Sequence, residues 1–206
     1  MTEKQGVLFI VSGPSGTGKG TIMDEYFRKY PEDNSFLSIS MTSRAPRATD
    51  KEGVTYYFIS REEFEDLIKN NGLAEWTEFC GNYYGTPKKP VNDMLRAGRN
   101  VVLEIEVEGY HQVKNAFEDA IGVFVLPPSL AELRNRLKGR NTETDEVIEK
   151  RITRAYEEIK EVNSYDYLLI NDDLDRAVDD FHSIVLGEGL KVKRNQKFID
   201  EVYKKC

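Results

Sequence analysis

Val7-Leu8-Phe9-Ile10-Val11-Ser12-Gly13-Pro14-Ser15-Gly16-Thr17-Gly18-Lys19-Gly20-Thr21 is the stretch on which the fold turns. Val7–Val11 is an unbroken apolar run between glycines, the pattern of a strand buried on both faces. Beyond the glycine-rich turn, Lys19 to Lys29 carry Ile22, Met23, Tyr26 and Phe27 on one side, as a helix does. Strand, glycine-rich turn and helix in direct succession is the setting of a P-loop. Glycines at 13, 16 and 18 let backbone N–H groups turn inward around an anion where side chains would obstruct. The start of the helix adds partial positive charge, and Lys19 can reach the outer phosphates of a nucleotide. One position departs from the pattern. Gly20 stands where a Ser or Thr usually meets Mg²⁺, and the hydroxyl comes one residue later, at Thr21.

Outward from this stretch, strands and helices alternate. Phe36–Ser40 and Asn100–Ile105 read as strands, and Ile121–Leu126 and Tyr167–Ile170 as further buried ones. Helices are expected over Arg61–Asn71 before Gly72, from Pro87 to Ala97 before Gly98, over Leu130–Lys138 with Ser129 as N-cap, over Glu146–Val162 and over Leu174–Leu186. Such alternation predicts a parallel sheet covered on both faces. The stretch from about Thr42 to Lys89 interrupts it. Leu73–Phe79 and Asn82–Thr86 are short strands about a turn at Gly81, so this part reads as an insert. Gly139–Asp145 is polar, lacks an apolar stripe and reads as a mobile segment. Past Gly189, Lys191, Lys193, Arg194 and Lys197 read as a solvated basic tail.

The chain of 206 residues has room for one domain or a compact fold with inserts. Lys and Arg number 29 against 36 Asp and Glu, a net charge of −7, which argues against a dedicated nucleic-acid binder. Val, Leu, Ile and Phe together exceed the ~20% below which chains tend to disorder. No apolar run approaches the ~18 residues of a membrane helix. The start shows no basic region ahead of a long apolar stretch, so no signal peptide is expected. Cys80 and Cys206 are too few and too far apart for a disulfide framework or a zinc site. They read as reduced thiols, Cys80 partly buried. The expectation is a soluble, intracellular protein.

Three further groups carry charge in patterns. Arg44 and Arg47, around Pro46, could fork onto one small anion, although alone the plainer reading is two solvated surface residues. Glu104 and Glu106 point the same way from a strand end, where an acidic terminus is the plainer reading. Arg136, Arg140 and Arg151 bracket the polar segment and could instead pair with Glu132, Glu143 or Glu149. His111 and His182 lie in helical stretches and need no role.

Taken in order, the P-loop, Thr42-Ser43-Arg44-Ala45-Pro46-Arg47, Tyr56, Glu75-Trp76, Gly81-Asn82-Tyr83-Tyr84-Gly85-Thr86, Pro127-Pro128-Ser129, Gly139-Arg140-Asn141-Thr142-Glu143-Thr144 and Asn171-Asp172-Asp173 resemble the guanylate kinases. The resemblance runs from about Val7 to Leu186. It implies an α/β fold: a three-layer P-loop kinase with a parallel core sheet, a mixed α/β nucleotide-monophosphate-binding insert and a small helical lid. The implied division is a core of about 1–41, 90–134 and 156–189, an insert of about 42–89, a lid of about 135–155 and a tail of 190–206, all one unit. The implied activity is ATP-dependent phosphorylation of GMP, and of dGMP, by in-line transfer with Mg²⁺. GDP formed this way would feed guanine nucleotide synthesis and recycling in the cytoplasm. ATP and GMP are the implied partners, without nucleic acid or membrane, for a monomer or a homodimer.

The resemblance also implies roles residue by residue. Arg44, Arg47, Tyr56 and Tyr84 match ligands of the GMP phosphate, and Ser40, Glu75, Thr86 and Glu106 match positions facing guanine. Glu104 is expected at the acceptor or at Mg²⁺, and Thr21 is the expected hydroxyl for the metal. Lys19, Arg44, Arg136, Arg140 and Arg151 are expected to offset charge during transfer. The last of these also belongs to the GMP site, while Arg136, Arg140 and Asn171 belong to the ATP site. The chemistry of guanine agrees. Glu75 can accept from its N1–H and N2–H₂ donors, and Thr86 can donate to O6. Adenine would leave that carboxylate unpaired. Asp is commoner in the family where Glu106 stands, Gln where Glu108 stands, and Gly where Asn141 stands. Two alternatives remain at this point: a kinase for another acceptor such as a phosphorylated ribose, and a non-catalytic binding module.

Overall fold

A computed structural model describes residues 5–139 and 144–204. The chain opens with β1 (Leu8–Ser12), α1 (Lys19–Lys29) and β2 (Ser35–Leu37). It then forms β3 (Met41–Thr42), β4 (Tyr57–Phe58), α2 (Arg61–Lys69), β5 (Leu73–Phe79) and β6 (Asn82–Pro87). It continues through α3 (Lys88–Arg96), β7 (Asn100–Glu104), α4 (Val107–Ala116), β8 (Ile121–Leu126) and α5 (Leu130–Lys138). After α6 (Asp145–Ile159) come β9 (Tyr167–Ile170), α7 (Leu174–Leu190) and α8 (Gln196–Lys204).

The main sheet is parallel throughout, in the order β2-β7-β1-β8-β9. Side chains alternate across a strand, so β1 feeds two cores. Phe9 and Val11 pack with Ile22, Met23 and Tyr26 of α1 and with Val178, Phe181 and Val185 of α7. Leu8 and Ile10 pack on the other face with Val91 and Leu95 of α3 and with Tyr110 and Val113 of α4. This is why Val7–Val11 is apolar without interruption. Each such side chain contributes about 1.5–3 kcal/mol by leaving water.

β9 departs from the expected buried strand. Leu169 joins the α1–α7 core, but Leu168 and Ile170 are 50% and 47% exposed. The strand lies at the sheet edge, covered on one face only.

The insert forms its own four-stranded sheet, in the order β4-β3-β6-β5. Its core is small, consisting of Phe64, Leu73 and Tyr83 with a few half-buried neighbours. Cys80 sits exposed at the β5–β6 turn, not partly buried as expected. Asp145, expected in the polar mobile segment, opens α6 instead, while Arg140 to Glu143 lie outside the described residues.

The basic tail is anchored, not loose. Its Lys191 and Arg194 reach the fully buried Glu188 carboxylate at 2.5 and 3.3 Å, and Lys193 pairs with Asp119 at 2.9 Å. Tyr167 also donates to Glu188, at 2.7 Å. Among the described residues no helix is long and apolar enough to cross a membrane.

Candidate active site

The loop from Gly13 to Gly18 leaves the end of the middle strand of the main sheet, where crossover sheets bind ligands. Gly18 precedes α1 with φ +92°, and a Cβ there would stand 2.4 Å from Asn171 Nδ2. That amide donates to the Thr17 carbonyl at 2.8 Å. Arg136 reaches the same carbonyl at 3.4 Å through Nη1. Its Nη2 donates to the Asn171 carbonyl at 2.9 Å, and its Nε to Glu132 at 2.9 Å. Asn171 and Arg136, two of the residues expected at ATP, are therefore fastened to the loop that would carry it, Arg136 directly and through Asn171.

Lys19 Nζ donates to the Gly13 and Pro14 carbonyls at 2.6 and 3.2 Å, bridging the loop from inside. Burial lowers its pKa, while the carboxylates of Glu104, Glu158 and Glu106 act to raise it. Glu104 ends β7 beside the loop. A Cβ on Gly20 would lie 3.5 Å from either of its oxygens. It is open to solvent yet deep among protein atoms, which raises its pKa against the pull of Lys19. Glu104 thus stands on the side of the nucleotide loop.

Most residues expected at the acceptor lie on the insert. Glu75 and Thr86 are cross-strand partners on β5 and β6, beside a bulge between Leu73 and Glu75 that re-aims the strand. Thr86 Oγ1 donates to Glu75 Oε1 at 2.7 Å, with both residues buried. The hydroxyl expected on guanine O6 here orients the Glu75 carboxylate. Burial raises the Glu75 pKa; Thr86 opposes that, and the charge of Glu106 adds to it. Gln112 of α4 grips both backbone groups of Trp76, at 3.2 and 3.0 Å, and so fixes β5 beside the pocket.

The arginines lie on the loop after β3. Thr42 Oγ1 accepts from the Arg44 N–H at 3.1 Å and donates to the Tyr83 carbonyl at 2.8 Å. The Arg44 guanidinium stands 5.7 Å from the Tyr56 ring, which meets the Tyr84 ring at 5.9 Å. Three of the four expected phosphate ligands are thus gathered, while the Arg47 side chain is exposed. Ser40 is half-buried at the start of β3, and its carbonyl accepts from Tyr57 at 2.9 Å.

Asp50 is a residue that sequence reading passed over. Its Oδ2 accepts from Arg44 Nη2 at 2.8 Å and from the Arg47 N–H at 2.7 Å. The Arg47 N–H and then Arg44 hold its carboxyl below the usual range. Its place three residues beyond Arg47 is the signal that could have found it. Arg154 of α6 was also passed over. It pairs with Glu106 at 2.5 Å. Arg151 lies on the same helix, and Arg140 lies outside the described residues.

A parallel sheet with a glycine-rich loop and lysine at its middle strand, joined to an inserted sheet that carries arginines and a buried carboxylate, defines a P-loop kinase. A sequence model described as guanylate kinase matches residues 5–188. Guanylate kinase of Bacillus anthracis is 48% identical over 203 residues, covering 98% of each chain. That of Desulfitobacterium hafniense is 47% identical over 194 residues, covering 94% of this chain and 96% of the relative. A crystal structure of guanylate kinase from Anaplasma phagocytophilum superposes with a TM-score of 0.73 at 31% identity, covering 94% of this chain and 92% of that one. The chain belongs to the guanylate kinase family.

Proposed function

We propose that this kinase transfers the γ-phosphoryl group of ATP to GMP, and to dGMP, forming the diphosphate. The observation that carries the reading is the buried Glu75, oriented by Thr86 and close enough to Glu106 to feel its charge. In this reading the Glu75 and Glu106 carboxylates accept from the N1–H and N2–H₂ donors of guanine. Adenine offers an acceptor at N1 and would leave a buried carboxylate unpaired, a mismatch able to discriminate by orders of magnitude.

In this reading Gly13 to Thr21 cradle the ATP phosphates. Arg44, Arg47, Tyr56 and Tyr84 take the GMP phosphate, and Ser40 faces the base. A phosphate oxygen of GMP attacks the γ-phosphorus in line. It is already ionised, so no general base is needed. Lys19, Arg44, Arg136, Arg140 and Arg151 offset the charge spread over the transferring group. Closure of the segment around 135–155 would keep water from the phosphoryl group.

Among the described residues no group of three or more His, Cys, Asp and Glu is placed to hold a metal. The oxygens beside Gly20 suit Mg²⁺, which takes one or two protein ligands together with nucleotide phosphates and waters. Thr21 and Glu104 would hold it. When bound it neutralises phosphate charge. The product would feed guanine nucleotide synthesis and recycling in the cytoplasm.

ADP release from MgATP in a coupled assay, with GMP, dGMP, AMP, CMP and UMP offered separately, tests the reading. Turnover with GMP and dGMP alone is expected. Turnover with AMP or a pyrimidine nucleotide would overturn the base assignment, and no turnover with any acceptor would overturn the reaction.

A further inference from the structure

Arg154 has no part in the transfer described above, yet it is the hub of an acidic cluster. Its Nη2 meets Glu106 Oε2 at 2.5 Å and Glu108 Oε1 at 3.5 Å, and its Nε meets Glu158 Oε1 at 2.7 Å.

The ion pair is a poor candidate for a stability element. Glu106 is 70% and Arg154 48% exposed at the side chain, and exposed pairs contribute little. Its position matters more. Glu106 immediately precedes α4, and its charge reaches the buried Glu75. Glu108 and Glu158 add two further negative charges around Arg154. The three-bond side chain of Glu106 could swing widely, and repulsion from Glu75 would drive it out of the pocket. Arg154 opposes both tendencies, by holding one oxygen and by supplying the local cation. It does so from α6, the helix that also carries Arg151.

We propose that Arg154 is a positioning residue: it holds the Glu106 carboxylate at the acceptor-base pocket and so joins helix α6 to acceptor recognition. The proposal rests on the GMP reading above.

Isothermal titration calorimetry of the nucleotide-free enzyme measures GMP binding without turnover. Arg154→Gln is expected to raise both the Kd and the KM for GMP about 5-fold, the size fitting an accessible charge pair, with the KM for ATP and kcat nearly unchanged. Arg154→Lys restores most of the loss. In a Glu106→Gln background, Arg154→Gln adds nothing.

Three results would overturn the proposal. One is an unchanged or lowered KM for GMP in Arg154→Gln, the second an equal rise for GMP and ATP, and the third the same 5-fold effect in the Glu106→Gln background. The wild-type control separates the two levels. If wild type phosphorylates GMP and Arg154→Gln behaves like it, only the role of Arg154 fails. If wild type phosphorylates another acceptor, the GMP reading fails and takes this inference with it.

Discussion

The nucleotide loop and the acceptor insert hold their side chains by different means. The loop rests on β1, where Phe9, Ile10 and Val11 are wholly buried between two helical layers. Hydrogen bonds from Asn171 and Arg136 to the Thr17 carbonyl tie it down from outside, and Lys19 bridges it from within. The insert rests on Phe64, Leu73 and Tyr83. Of the side chains expected at the acceptor, its Arg44 is held by charge on Asp50 and its Glu75 by the Thr86 hydroxyl, while outside the insert Glu106 is held by Arg154. A thin core means low local stability, and segments of low stability are the ones that move on binding. An arginine already seated on a carboxylate can also exchange that anion for a phosphate with little change in its own environment. The donor half is thus a prebuilt cradle, and the acceptor half is held ready by replaceable partners.

The largest expected effects lie one on each side of this divide. Lys19→Met should lower kcat about 10²- to 10³-fold, as loss of a transition-state charge donor does. GMP binding measured by calorimetry should stay intact. Glu75→Gln should do the reverse, raising the KM for GMP about 10- to 100-fold through loss of a charge-assisted contact, with ATP binding intact. Steady-state kinetics with each substrate varied in turn separates the two patterns.

A smaller effect should appear on acidification. The pKa of Glu75 is raised by burial, so its ionised form is lost as pH falls while an ordinary glutamate near about 4.3 is still charged. The pKa of Asp50 is lowered, so its pair with Arg44 persists to lower pH. The KM for GMP should therefore climb on the acid side before the Arg44–Asp50 pair is lost, and Glu75→Gln should flatten that climb. For folding the signs are opposite. Ionised Asp50 contributes stability above its unfolded pKa of about 3.9, which is lost as pH falls through its lowered value. Glu75 favours the fold when protonated, and that contribution fades as pH rises through its raised value. A KM for GMP that stays flat on acidification in wild type would contradict the assignment of Glu75.

Much of the fold was legible because its signals are local. The periodicity of Lys19–Lys29, the short strand Leu73–Phe79 ahead of the turn at Gly81, the apolar run of Ile121–Leu126 and the Ser129 cap ahead of Leu130–Lys138 all match the structure in their bounds. α4 was left without bounds because Glu106, at its N-cap, makes no capping side-chain hydrogen bond. The exposure of Leu168 and Ile170 could not be read locally, because position at a sheet edge depends on the order of all five strands. The tail was read as solvated because its partners, Glu188 and Asp119, look in sequence like any other surface acids. At the site, glycine spacing and paired arginines announced the nucleotide loop and Arg44. The contacts that hold them did not show. Asn171 meets Thr17 across 154 residues, and Arg154 meets Glu106 across 48.

Hydrogen exchange with and without GMP tests the contrast between the two halves most directly. In the free protein, amides of β5 and β6 should exchange faster than those of β1 and β8. Saturating GMP should slow β5 and β6 and leave β1 unchanged. Equal protection of both sheets with no gain on the insert, or a gain confined to β1 and α1, would contradict it.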